Sequence, residues 1–209
     1  VSDDAAEHAA SAVWAVVPVK GFARGKSRLG SVLSDSVRSA FARGLFEHVI
    51  STLKGHPLIA GVVVVTEDDE VAEAAEARGV SVLRDPEPGS LSAVVDAGLA
   101  YAHTRGASAG FVCMADLPHL TVLDVNAVIA ELHEHDVVLT PDLLRAGTNV
   151  LCLAPASRMP SCFGRADSFV QHLTRARDAG LNVQVVERHG LCFDVDDPSD
   201  LERMGPPEG

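Results

Sequence analysis

The sequence predicts an α/β fold built on a mostly parallel sheet with helices on both faces. Three observations carry that prediction. Short β-branched apolar runs alternate with longer segments of helical period along most of the chain. One run, Gly61–Thr66 (G-V-V-V-V-T), is apolar throughout, as a central parallel strand covered on both faces must be. The segments between successive runs are long enough to cross back over the sheet in the right-handed sense. The 209 residues suit one domain, taken as 13–209, behind a small-residue acidic tail at 1–12 that is expected to be disordered.

Val13–Val17 reads as the first buried strand, and Pro18, lacking an N–H, ends its ladder. A loop with Gly21, Gly25 and Gly30 follows, carrying four cations: Lys20, Arg24, Lys26 and Arg28. No acid stands between Glu7 and Asp35, although the chain has a formal net charge of −12. A strand feeding a Gly-rich cationic loop suits an anion at the carboxyl edge of a sheet, because the backbone can approach closely and the cations offset its charge.

Asp35 can cap a helix reaching about Lys54, with Val37, Phe41, Leu45 and Val49 as its inward stripe and Phe46, Ile50 and Leu53 widening it. Gly55-His56-Pro57 ends that helix, and the strand at 61–66 follows. Residues 67–78 form an acid-fronted helix whose charges match its dipole. A short strand at Val80–Leu83 leads into the loop 85–90, where Ser90 caps a helix to about Thr104 that turns Leu91, Val94, Val95 and Leu99 inward. Gly110–Met114 is a strand ending in Ala115-Asp116-Leu117-Pro118, and 121–134 is helical. Asp136–Thr140 and Asn149–Leu153 read as strands flanking a turn at 141–147. A helix at 167–179, strands at Asn182–Glu187 and Leu191–Asp196, and a last helix opened by Asp197-Pro198 complete the chain before 205–209 frays. The closer spacing of the later strands predicts an antiparallel edge.

Composition excludes several classes. The acidic balance lacks the basic face that nucleic-acid binding needs. No apolar run reaches the roughly 18 residues of a membrane span, and the first dozen residues lack the pattern of a signal peptide. Four cysteines without C-x-x-C spacing fit free buried thiols and a cytoplasmic setting.

Asp116 closes an apolar strand, so its carboxylate is placed at the edge where α/β ligands bind, and hard oxygen ligands there suit Mg²⁺. Asp194 and Asp196 stand at i and i+2 of the last predicted strand and so share a face, while Asp197 is better placed to cap the helix after it. Two acidic strand ends and one cationic loop point to metal–polyphosphate chemistry. Gly21–Ser27 approaches a Walker A loop but has three residues between its glycines where four are needed, which leaves a P-loop-like kinase as an alternative. No G-x-G-x-x-G follows a predicted strand, and no Ser/His/Asp or Cys/His constellation stands out. The turn 163–168 leads into a helix whose N-terminus is a ready anion site, with Asp167 or Ser168 as its cap.

Taken together, Val17-Pro18-Val19-Lys20, Gly25–Leu29, Ala115–Pro118, Pro141-Asp142, Gly147-Thr148-Asn149-Val150-Leu151, Phe163-Gly164 with Ser168-Phe169 and His172, and Asp194-Val195-Asp196 with Pro198 and Asp200-Leu201 resemble the 2-phospho-L-lactate guanylyltransferases and their phosphoenolpyruvate-using bacterial relatives in coenzyme F-420 biosynthesis. The resemblance runs over nearly all of 13–204 in the family's order. It implies a nucleotide-diphosphosugar-transferase-like (GT-A) fold, GTP, Mg²⁺ and a phosphorylated three-carbon acid, either phosphoenolpyruvate or 2-phospho-L-lactate. It implies Asp116 and Asp194 as metal ligands with Asp196 close by, and Lys20, Lys26 and Arg28 on nucleotide phosphates. Asp116, Asp194 and Lys26 would carry catalysis, and Thr148, Gly164 and Ser168 would hold the acid. Three residues separate Gly164 from Ser168 where the family pattern has two, so Asp167 competes with Ser168 for that role. Nucleotidyltransferases for sugar phosphates or molybdenum cofactor are the alternative, but their longer Gly-rich loop with an Arg-Met-Gly run is absent here. A non-catalytic nucleotide-binding regulator would be expected to lack one of the paired carboxylates.

Overall fold

The computed structural model describes residues 12–84 and 89–204. Residues 1–11, 85–88 and 205–209, which hold nearly all of the expected tail, most of the loop at 85–90 and the expected frayed end, lie outside the described residues.

Seven strands form one sheet: β1 (Val13–Pro18), β2 (Ile59–Thr66), β3 (Ser81–Arg84), β4 (Ala109–Cys113), β5 (Val137–Pro141), β6 (Thr148–Leu153) and β7 (Val183–Val185), in the order β3-β2-β1-β4-β6-β5-β7. All are parallel except β6, which runs antiparallel to both β4 and β5. The reversed strand therefore lies inside the sheet, not at an edge as its spacing predicted. The turn between β5 and β6 is too short for a crossover, so β6 must run back beside β5, and it fills the place next to β4.

Helices α1 (Asp35–Lys54), α2 (Asp69–Ala77), α4 (Val122–Ala130) and the single turn α6 (His189–Cys192) pack on one face; α3 (Leu91–Thr104) and α5 (Ser168–Asp178) pack on the other. β2 is buried on both faces because Val62 and Val64 enter the first layer while Val63 and Val65 enter the second. α3 lies so close to β1 that a Cβ on Gly98 would sit 2.4 Å from the Val16 side chain. The last helix, α7 (Pro198–Met204), is opened as expected by Asp197, whose carboxylate accepts from the Ser199 and Asp200 N–H groups.

Several local expectations are corrected. Ser34, not Asp35, caps α1, its hydroxyl accepting from the Val37 N–H. Val37, expected on the inward stripe, is half exposed, and burial on α1 begins at Leu45. The helix at 121–134 is α-helical only to Ala130 and closes with a 3-10 turn. The strand expected at Leu191–Asp196 does not form. Leu191 and Cys192 belong to α6, and the residues after them make one backbone bond to the loop that follows β4, from Val195 N–H to the Asp116 carbonyl. A short apolar run cannot by itself distinguish a strand from a buried helical turn. Here Arg188, paired with Asp124 at 2.6 Å, starts the turn. No helix among the described residues is long and apolar enough to cross a membrane.

Candidate active site

The cationic loop is held against the acidic end of the chain by a small apolar cluster. Leu29, in a 3-10 turn at Ser27–Ser31, is fully buried against Phe193 and Val195, with Phe41 of α1 and Leu201 of α7 around them. Burying a leucine contributes about 1.5–3 kcal/mol. Phe193 and Val195 lie in this cluster, whereas Asp194 and Asp196, the residues alternating with them, join Asp116 outside it. Asp194 and Asp196 thus share a side although no strand forms there.

Lys26, ahead of that turn, adopts the left-handed conformation (φ 55°). Its ammonium sits 2.5 Å from Asp116 Oδ2 and 2.9 Å from Asp196 Oδ1. Burial alone would lower the Lys26 pKa, but Asp116 and Asp196 outweigh it and hold the pKa above its usual value. One carboxylate oxygen from each of Asp116, Asp194 and Asp196 lies within 4.8 Å of the others. Burial, then repulsion from Asp116 and Asp196, pushes the Asp194 carboxyl up to about 7. Asp116 Oδ1 is buried without a hydrogen-bond partner. Three converging carboxylates, one with an unpartnered oxygen, are a donor set that fits a hard divalent cation.

A cavity of about 510 Å³ opens beside this cluster, lined by Lys20, Lys26, Asp116 and Asp196 at its charged end. Phe22, Phe46, Leu91 and Val94 supply apolar walls. Lys20 is exposed on the lining, whereas Arg28 is exposed and does not line the cavity. The loop is not a P-loop: its lysine faces carboxylates, and a 3-10 turn follows it where that motif has an α-helix.

The residues expected at the acceptor form a second cluster. Thr140 pairs with Val150 but Pro141 pairs with Thr148, so Asn149 is an extra residue in β6. Such a bulge re-aims the side chains on either side of it. Thr148 consequently faces α5, where its hydroxyl oxygen accepts from Ser168 Oγ at 3.2 Å and lies 3.0 Å from His172 Nδ1. Asn149 turns toward Asp194 and donates to the Leu191 and Cys192 carbonyls and, at 3.4 Å, to Asp194 Oδ1. Adjacent residues thus connect the two clusters. Between Asp167 and Ser168, it is Ser168 that faces Thr148; Asp167 is exposed and accepts from Gln171. Neither side chain caps α5. Gly164 has φ +81°, and a Cβ there would lie 3.2 Å from Leu91 Cβ, which places this turn against the wall of the cavity.

Asn149, His172 and Leu29 have parts in this geometry that the sequence did not assign. A buried polar pair in the run G-T-N-V-L and a histidine on the apolar side of a helix are the signals that mark the first two.

The family model described as "Guanylyl transferase CofC like" matches residues 13–204. The chain belongs to that family. It is 36% identical to the phosphoenolpyruvate guanylyltransferase of Sphaerobacter thermophilus over 91% of each chain. It is 34% identical to the 3-phospho-D-glycerate guanylyltransferase of Phenylobacterium zucineum, over 89% of this chain and 86% of that one. With the 2-phospho-L-lactate guanylyltransferase of Methanothermobacter thermautotrophicus it shares 29% identity, over 90% and 81% respectively. Among solved structures, a nucleotide-diphospho-sugar transferase from Desulfovibrio desulfuricans G20 superposes with a TM-score of 0.77 at 19% identity, over 92% of this chain and 85% of that one. CMP:2-keto-3-deoxy-manno-octonic acid synthetase, complexed with CTP, superposes with a TM-score of 0.64 at 16% identity, over 93% and 97%. The sheet is thus that of the GT-A-like nucleotidyltransferases, and the protein is an enzyme of the nucleotidyltransferase class.

Proposed function

We propose that this enzyme transfers GMP from GTP to the phosphate of a phosphorylated three-carbon acid, releasing pyrophosphate, as a cytoplasmic step of coenzyme F-420 biosynthesis. The observation that carries the reading is the meeting of Lys26 with Asp116, Asp194 and Asp196 at the charged end of the cavity. The acids named for the relatives above are all phosphorylated three-carbon acids, and phosphoenolpyruvate, named for a relative 36% identical, is our first choice.

Asp116, Asp194 and Asp196 are the residues that would hold Mg²⁺. Bound there, Mg²⁺ supplies positive charge that offsets the triphosphate and the departing pyrophosphate. Lys26 and Lys20 add cationic charge on the same side of the cavity, and Phe22, Leu91 and Val94 offer apolar surface to a base. Thr148, Ser168 and the Gly164 turn hold the acid. An oxygen of the acid's phosphate attacks the α-phosphorus of GTP, forming one P–O bond while the bond to the β-phosphate bridging oxygen breaks. A phosphate monoester is already largely dianionic near neutral pH, so no protein base has to remove a proton. Catalysis consists of bringing two anions together and stabilising the charge that moves.

Pyrophosphate release, measured with GTP, ATP, CTP and UTP against phosphoenolpyruvate, 2-phospho-L-lactate and 3-phospho-D-glycerate, tests the proposal. GTP with one of these acids should be turned over at least about tenfold more efficiently than ATP, equivalent to about 1.4 kcal/mol of discrimination. Equal use of all four nucleotides would remove the guanylyl assignment.

A further inference from the structure

His172 is fully buried on α5, with the Phe163 ring edge-on at 4.8 Å. Both its nitrogens are committed. Nε2 lies 2.7 Å from the Cys162 N–H, which can only donate, so Nε2 must be the unprotonated nitrogen. The proton then sits on Nδ1, facing Thr148 Oγ1 at 3.0 Å and the Ser168 carbonyl, which can only accept. Burial, opposed by that carbonyl and reinforced by Arg175, pushes the imidazole pKa down to about 4, so the ring is neutral near pH 7. Thr148 Oγ1 therefore accepts from Ser168 Oγ and lies within reach of the Nδ1 proton, which it shares with the Ser168 carbonyl. Its own hydroxyl proton cannot go to the protonated Nδ1, and Ser168 Oγ is already donating to it.

We propose that His172 is a positioning residue of the acceptor site: by donating from Nδ1 it fixes Thr148 Oγ1 as an acceptor on its inner side, so that the Thr148 O–H is presented to the anionic acid. The inference rests on the proposed role of Thr148 in holding that acid. The same ring ties together three segments, since Cys162 leads into the Gly164 turn, Ser168 starts α5 and Thr148 starts β6. A residue that served packing alone would not need a fixed tautomer.

Two substitutions separate the ring's two bonds. The His172→Asn amide falls near the Nδ1 position and can still donate to Thr148. The His172→Gln amide falls near Nε2 and can still accept from Cys162, but leaves Thr148 free to turn its proton inward. The His172→Gln substitution should raise the acid's KM by about tenfold or more, with kcat and the KM for GTP within about threefold. His172→Asn should keep the acid's KM within about threefold of the parent even where its melting temperature is lower. Equal KM increases in both variants, or a matching rise for GTP, overturn the proposal. The ¹⁵N shifts of the His172 ring in the unsubstituted protein, read without substrate, provide a second test that needs neither turnover nor a folded variant. A proton on Nδ1 from pH 6 to 8 is the expected result; a proton on Nε2, or a cationic ring, overturns the inference. If the unsubstituted enzyme uses none of the three acids, the proposed function fails while the tautomer measurement still decides the hydrogen-bond polarity.

Discussion

Lys26 and Asp116, 90 residues apart in the chain, meet at 2.5 Å, and the same ammonium reaches Asp196 at 2.9 Å. The contact joins the loop after β1 to the loop after β4 and to the segment before α7, so a single side chain ties together the three segments to which the proposed nucleotide and metal roles fall. It also means that positive charge is already supplied to the carboxylates by the chain itself.

The Lys26→Met substitution keeps most of the side chain's length and removes that charge. Three carboxylates would then face one another without a cation. Turnover is expected to fall by at least about a hundredfold. The melting temperature without metal should drop at pH 8, and added Mg²⁺ should restore more of it than it adds to the parent. Unchanged stability and activity in Lys26→Met would show the ion pair to be incidental.

Asp194 gives the folded protein a pH signature. Its folded pKa, about 7, is above the unfolded value near 3.8. A carboxyl raised in this way favours the folded state while protonated, so its contribution is fully present below about pH 4 and is lost as pH rises through about 7. Apo-protein melting temperature should therefore decline across that window relative to Asp194→Asn, in which this component of the slope vanishes. Mg²⁺ should flatten the slope in the parent by favouring the ionised form. A parent and variant that track each other from pH 4 to pH 8 would contradict the carboxylate repulsion.

Leu29 touches no substrate in this account, yet it anchors the cationic loop on Phe193 and Val195. Leu29→Ala should cost about 2–5 kcal/mol in denaturant unfolding, and turnover should fall because Lys26 loses its placement. Leu29→Met, which nearly preserves volume, should cost less than about 1.5 kcal/mol and keep most activity.

Thr148→Val removes the hydroxyl and keeps the shape. The acid's KM should rise about tenfold or more, in line with the roughly 1.5–3 kcal/mol of a hydrogen bond to a charged group. Stability should also drop, since Ser168 and His172 lose their acceptor. Thr148→Ser should behave like the parent in kinetics. An unchanged KM for every acid in Thr148→Val would reduce the residue to a structural one.

Much of the frame was legible because β-branched runs and caps are local signals. Ser90 and Asp197 cap where the sequence placed them, and the apolar run 61–66 is the doubly covered β2. The placement of β6 was not legible, since hairpin spacing does not say which neighbour a returning strand takes. The residues 191–196 misled because a short apolar stretch suits a buried turn as well as a strand, and the Arg188–Asp124 pair that starts the turn joins distant segments. At the site, the three carboxylates Asp116, Asp194 and Asp196 lie together, but Lys26, expected on nucleotide phosphates, pairs with two of them, and Arg28 stands outside the cavity. The bulge at Asn149 and the His172 ring depend on tertiary pairing, which no local pattern encodes.

³¹P NMR of the enzyme with GTP, Mg²⁺ and phosphoenolpyruvate reads transfer of GMP and loss of pyrophosphate in one experiment. One new phosphoanhydride joining the former α-phosphorus of GTP to the acid's phosphate is expected, with an equal amount of pyrophosphate. The Asp116→Asn protein should produce neither at a comparable rate. GDP together with a doubly phosphorylated acid, or GTP unchanged with all three candidate acids, would rule out guanylyl transfer.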